Sequence, residues 1–420
     1  MQINTAVRRI GRPASVLAVG ALLACASAAS AATFNVSTNA EFNAAVAASN
    51  ASVGVTDTIQ FASLFTAAPT APVSFTDDVI IRGNPTSQVA GDAGIQGAAI
   101  SPANDLIQVQ SGVTATFQGM TLNTGGDPDH PLIHVFGNGT FRAENSQVVG
   151  SSGVAIQTDP ESVGGSIELF NSIVTGNTST FQSIIVAAAS SITMNNVTYI
   201  NNGAGMLLAG TANIRNSVIG TNGFGNCVGV PVEAHVNFTT DTDVDGDGLG
   251  DCTSLDPAGQ SNLTVANSNA GLGVATLTTG NGGPTRTRAL TATSVNVNSA
   301  DQSACPPIDQ RYFVRTNACD RGSYELNAVR DTTPPTCAAV ATRRNGPSGH
   351  DEQDVSTQDT GSGLEAIFNQ AITNGSISVP TFTVGRTTPL VITATKTDQS
   401  LKTRWSFTAR DWAGNTTNCQ

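Results

Sequence analysis

The chain has 420 residues and a formal net charge of −12, with 12% charged residues, 5% aromatic residues and 42 glycines. Average globular chains are about one quarter charged, so salt-bridged helices and coiled coils are excluded. Lysine occurs only at Lys396 and Lys402, which leaves no basic stripe for nucleic acid. A hydrophobic share of 39% suffices for packed domains, and this length suggests two or three of them.

Residues 1–31 read as an export signal. Arg8, Arg9 and Arg12 form a basic start, Val16 to Ala24 an apolar run, and Ala29-Ser30-Ala31 a small-residue cleavage site. The expected mature chain begins near Ala32 and carries −15 once the three arginines are gone. A lipoprotein box ending at Cys25 is the alternative. The apolar run is too short to span a bilayer, and no later stretch is long enough. The expected location is secreted or cell-surface, with no transmembrane segment. Next, Thr38-Asn39-Ala40-Glu41 is a capping box opening a short helix through Phe42, Ala45 and Val46.

From there the chain repeats. Asn145, Asn171, Asn196 and Asn216 recur with Gly119 one repeat earlier, at spacings of 26, 26, 25 and 20 residues. Four positions before each anchor stand Ala115, Phe141, Ile167, Ile192 and Ala212. Two before stand Phe117, Ala143, Leu169, Met194 and Ile214; three after stand Leu122, Val148, Val174, Tyr199 and Ile219. Period-2 alternation inside a longer period is the signature of a solenoid. Short β-branched strands with Asn, Gly and Ser turns select a parallel β-helix, with coils stacked about 4.8 Å apart. The anchor asparagines are expected in left-handed corners, with amides bonded from coil to coil. Earlier strands are expected at Val79–Asn84 and Leu106–Val109, later ones near Thr264–Asn267 and Ala275–Leu277.

Three segments could carry chemistry. In a corner loop, Asp127, Asp129 and His130 precede His134; two carboxylates beside an imidazole suit general acid/base work, and a turn explains them equally. On one outward face, Arg142 should stand beside Glu168 as a surface ion pair. Alternatively the face binds sugar, with Phe170 as a stacking platform. Between Asp241 and Cys252, aspartates alternate with glycines, and Asp243, Asp245, Asp247 and Asp251 would converge on a structural Ca²⁺. The loop lacks the Glu of an EF-hand and is similar to thrombospondin type 3 calcium loops. Zinc spacings, nucleophile elbows, P-loops and dinucleotide fingerprints are absent. Without Cys25, six cysteines remain and allow 15 pairings; proximity suggests 227–252, 305–319 and 337–419.

Two family resemblances follow. Asp57–Ala62 and Ile80–Asn84 look like the opening coils of secreted bacterial right-handed parallel β-helix proteins. Asn281-Gly282-Gly283-Pro284-Thr285, Asp309-Gln310-Arg311, Arg315 and Cys319-Asp320-Arg321-Gly322-Ser323-Tyr324-Glu325 resemble the end of the choice-of-anchor Q group. The chain departs from that group at Tyr312 (Gly in the group), Thr316 (Pro) and Arg321 (Ile), and it lacks the group's opening cap motif. The resemblance implies a β-helix exported to the cell surface or medium and implies no activity. Residues 281–325 are expected to fold over the last coil as a cap, locked by arginine–carboxylate pairs among Asp309, Arg311, Arg315 and Asp320. Trp405–Asn415 and Asp354–Leu364 resemble bacterial immunoglobulin-like repeats, which implies a spacer or adhesion module.

The expected organisation is a signal peptide (1–31), a β-helix (32–326), a Pro-rich linker (327–336) and an immunoglobulin-like β-sandwich (337–420). The β-helix would contain the N-terminal cap helix, the calcium insertion near 241–252 and the C-terminal cap. The expected function is a secreted or cell-surface structural or adhesive binding protein, with a carbohydrate or cell-surface component as partner. The alternative is a polysaccharide lyase or glycoside hydrolase on the same fold.

Overall fold

The computed structural model describes residues 31–87, 93–97, 104–125, 130–160, 164–223, 225–229, 233–235, 238–239, 263–264, 273–316, 318–344 and 348–420. The expected export signal, apart from Ala31, lies outside them.

The chain enters three parallel sheets in turn, here A, B and C. Among the described residues they contain nine, nine and seven strands. Sheet A is built from Thr33–Val36, Asp57–Phe61, Val79–Arg82, Thr114–Gln118, Thr140–Glu144, Ser166–Phe170, Ser191–Asn195, Thr211–Arg215 and Glu233–His235. The register is the one the repeat predicts: Phe141 pairs with Ala115 and Ile167, and Arg142 with Thr116 and Glu168. The inward ladders, Phe117, Phe141, Leu169, Met194, Tyr199 and their equivalents, are fully buried. This is the parallel β-helix, with a single column of Ile, Leu, Val and Phe as its core. A 13-residue helix, Asn39–Ala51, packs Phe42 against Phe61 with ring centroids 5.4 Å apart. Its Thr38 hydroxyl accepts from the Glu41 backbone N–H at 3.2 Å.

Asn145, Asn171, Asn196 and Asn216 adopt φ of 53°, 45°, 54° and 50°, the left-handed corners expected of them. Of the expected coil-to-coil amide bonds one is present, Asn216 Nδ2 to Asn196 Oδ1 at 3.4 Å. Each of the four also donates Nδ2 to a backbone carbonyl of the segment 281–325: Asp309 at 2.6 Å, Ile308 at 2.9 Å, Asp320 at 3.0 Å and Asp301 at 3.1 Å. The expected end cap is thus a lateral strip, laid along the corner between sheets A and B across four successive coils. The strip is fastened by arginines: Arg311 Nη2 lies 2.5 Å from Asp309 Oδ2, and Arg315 Nη1 lies 2.6 Å from Glu325 Oε2. Asp320 instead accepts the backbone N–H groups of Asn298 and Leu326, both at 2.6 Å. Gly119 stands in the asparagine ladder because Tyr312 of the strip fills the corner. A Cβ on Gly119 would come within 2.8 Å of the Tyr312 hydroxyl.

A longer coil-to-coil amide ladder runs after sheet B. Asn177 Nδ2 donates to Asn202 Oδ1 at 2.9 Å and Asn202 to Asn222 at 3.0 Å, and Asn222 bonds Asn226 of its own coil at 2.9 Å.

Residues 336–419 form two antiparallel sheets, compatible with an immunoglobulin-like sandwich. Four strands are ordered Thr336–Arg343, Glu352–Gln358, Leu390–Lys396, Gly375–Ser378, and three are ordered Leu364–Thr373, Arg404–Asp411, Thr416–Cys419. Val355, Leu364, Ile392 and Phe407 fill the space between them. The Cys337–Cys419 disulfide ties one sheet to the other, with Cα atoms 5.9 Å apart, and Cys305–Cys319 closes a loop of the strip at 6.3 Å. Cys227 is buried; its expected partner Cys252 lies outside the described residues.

Candidate functional site

On the outward face of sheet A the register stacks Gln60, Arg82, Gln118, Glu144, Phe170 and Asn195 in one ladder. Arg142, on the neighbouring ladder, ties the face together. Its Nε donates to Glu144 Oε1 at 2.6 Å, its Nη1 to Glu168 Oε2 at 2.7 Å, and its guanidinium lies 4.3 Å from the Phe170 ring centroid. The expected Arg142–Glu168 pair is therefore present, joined by Glu144. The same guanidinium covers one face of Phe170.

The C-terminal module docks on this ladder. Glu365, opening the strand that faces the solenoid, pairs with Arg82 and with Arg410 Nε, the latter at 2.8 Å. Arg330 Nη2 adds a bond to the Thr86 carbonyl at 2.8 Å. Two clefts flank the contact, and Val384 lines both. One, of about 370 Å³, runs between Arg142, Phe170 and Asn195 of the solenoid, Pro306 of the strip and Trp412 of the module. The other, of about 580 Å³, lies between Asn35, Gln60 and Arg82 of the solenoid and Glu365, Phe368 and Arg410 of the module.

The larger cleft has an excess of donors. Two guanidiniums share one carboxylate, with side-chain exposures of 5% for Arg82 and 25% for Arg410. Arg82 Nε finds no hydrogen-bond partner among the described residues, and neither does Gln118 Oε1. Burial, followed by the Arg410 charge, pushes the Arg82 guanidinium down to about 9; burial lowers Arg410 too. Glu365 is the only carboxylate among the residues lining this cleft. Both of its oxygens are taken by the two guanidiniums.

The other expected site residues lie elsewhere. His130 opens onto sheet C, where its Nδ1 lies 3.6 Å from Asp105 Oδ1, and His134 Nδ1 lies 3.1 Å from Asp105 Oδ2. His134 also stacks on Phe136 with centroids 3.9 Å apart. Asp105, buried one coil earlier, carries no signal in the sequence, because its relation to His134 emerges only when the coils are aligned. Asp127 and Asp129 lie outside the described residues, as do Asp243, Asp245, Asp247 and Asp251.

A cluster that sequence reasoning missed joins the linker to the module. Asp331, Asp359 and Asp411 are buried, with oxygens within 4.8 Å of one another; among the described residues these are the carboxylates that could hold a metal ion. Asp359 and Asp411 belong to the segments Asp354–Leu364 and Trp405–Asn415, so both segments meet the linker here. Asp331 accepts from the Ser362 N–H at 2.7 Å, Asp359 from Gly363 at 2.6 Å, and Asp411 from Asn415 at 2.7 Å. Burial, with the Asp331 and Asp359 charges adding to it, raises Asp411 to about 7.

Comparisons with protein-family models, curated proteins and solved structures find no match for this chain. No helix among the described residues is long and apolar enough to cross a membrane.

Proposed function

We propose that this is a secreted or cell-surface binding protein, structural or adhesive in role, of the choice-of-anchor Q type with an immunoglobulin-like C-terminal module. Its ligand is a carboxylate-bearing glycan held in the larger cleft. The observation that carries this reading is the pair of guanidiniums, Arg82 and Arg410, sharing a single carboxylate on the wall of the cleft. Guanidinium forks match carboxylates in geometry and charge, and the volume falls in the range of small-ligand sites. The net charge, −12 for the full chain and −15 without the three arginines of the export signal, repels acidic polymers at long range. Binding therefore depends on this local surplus of positive charge.

Calorimetry with galacturonate oligosaccharides and neutral oligosaccharides of equal length tests it. Preferential binding of the acidic series is expected. Arg410→Gln should weaken it about 10- to 100-fold, the worth of one or two bonds to a charged group. Equal affinity for both series overturns the reading.

One observation favours the enzymatic alternative, a polysaccharide lyase or hydrolase. The His130 and His134 rings against buried Asp105 have the form of an oriented base. Release of unsaturated product or new reducing ends, lost in His130→Ala, would establish it. No turnover is expected, because the cleft with the cations has no available base and the imidazoles sit on another sheet.

A further inference from the structure

Asp57 opens the second strand of sheet A and is completely buried. Its Oδ1 accepts the backbone N–H of Ala32 at 2.7 Å, and its Oδ2 takes the Ser52 hydroxyl. Both donors are neutral, and no cationic side chain pairs with Asp57 among the described residues. A desolvated carboxylate without a cation is costly. The position of Ala32 supplies a remedy. It directly follows Ala29-Ser30-Ala31, the small-residue pattern that export peptidases cut.

We propose that the chain is cut between Ala31 and Ala32 and that the new α-ammonium forms a buried ion pair with Asp57. The step is a peptide hydrolysis by an export signal peptidase. The Ala31 carbonyl carbon gains the oxygen of water, the C–N bond breaks, and the Ala32 nitrogen leaves as an amine that takes a proton. An α-amino group has an ordinary pKa of about 7.7–8.0, so it is largely charged at pH 7. The nitrogen already lies at hydrogen-bond distance from Oδ1, so the pair forms without rearrangement of the first coil. Ala32 is held there by its own carbonyl, which accepts the Thr58 N–H at 2.8 Å, and by the pairing of Thr33 with Thr58. Ala31 and Ala32 also line the larger cleft, so cutting between them removes Ala31 from its wall. The ion pair itself is independent of what the cleft binds.

The test begins with the intact mass of the protein exported from a bacterial host. A mass starting at Ala32 is expected; a start at Cys25 or any other residue overturns the proposal. Thermal melting then compares Asp57→Asn in the Ala32 chain and in a chain keeping Ala29-Ser30-Ala31. The substitution should lower the melting temperature more in the Ala32 chain, and equal losses overturn the pair. The stability that the Ala32 chain gains over the chain keeping Ala29-Ser30-Ala31 should be present below about pH 8 and be lost as pH rises through the pKa of the paired ammonium. Should Asp57→Asn fail to fold, reductive dimethylation of the wild-type protein decides. Protection of the Ala32 amine in the native state relative to urea supports the pair, and equal labelling overturns it.

Discussion

Asp411 shows how a single buried group sets a pH dependence. Its carboxyl holds a proton to about pH 7 in the folded module, while the unfolded chain releases it near the ordinary value of about 3.9. Between these values the native state binds more protons, so stability is fully present at the acid end and is lost as pH rises through 7. In chelator, the module should melt at a lower temperature at pH 8 than at pH 5, and Asp411→Asn should flatten that slope. An unchanged slope in the variant would assign the effect to other groups. Asn171 makes the complementary case. Its corner backbone has φ 45°, its Nδ2 bonds the Ile308 carbonyl, and its Oδ1 accepts from Arg315 at 3.1 Å. Asn171→Ala should cost roughly 1–3 kcal/mol in urea denaturation, from unpaired partners and a strained corner. The asparagine corners are legible in the sequence because a left-handed turn selects its residue locally. Asp105, Glu365 and Arg410 are not, since each acquires its partner only through the fold.

Strands are legible for a similar reason. Alternation within a repeat records which side of each strand faces the column, so the inward places of Phe141, Leu169 and Tyr199 follow from spacing alone. Phe141→Ala should cost about 3–5 kcal/mol by opening the column where Phe117 and Phe141 meet at 5.4 Å; a loss under 1 kcal/mol in urea denaturation would count against that packing. The lateral course of the strip is not legible, because Asn amides bonded to backbone carbonyls leave no side-chain pattern in the strip's own sequence. Cys227 and Cys252 are 25 residues apart, the same offset as the paired Phe238 and Leu263. That offset is one coil, which favours a 227–252 bond. Peptide mapping should find it, and titration of the denatured, unreduced mature protein should find no free thiol. The aspartates between them are expected to bind Ca²⁺. At 100 times Kd the ion would add about 2.7 kcal/mol and raise the melting temperature, and Asp245→Ala should abolish the shift. Identical melts in calcium and chelator would remove that site.

At the scale of the molecule, the module is fixed to the solenoid through a buried carboxylate between two guanidiniums. Glu365→Ala would leave both cations unpaired, at a cost of about 3–5 kcal/mol. Small-angle scattering should then show a larger radius of gyration, and limited proteolysis should cut within 327–336. A variant as compact and resistant as the parent would show that other contacts suffice. Composition and motifs separate the two parts of the chain, but neither part alone contains the information for how they dock. Arg82 reads as an ordinary strand residue until Glu365 arrives from nearly three hundred positions away.

The lateral strip also decides how the protein responds to force. The module follows directly from the strip, and the strip is bonded to Asn145, Asn171, Asn196 and Asn216 on four coils. Tension applied at the C-terminus is therefore shared among several anchorages loaded in shear. A solenoid pulled from its terminal coil would instead peel one strand at a time. A tether loaded in parallel yields late and abruptly, which would suit the adhesive role proposed above.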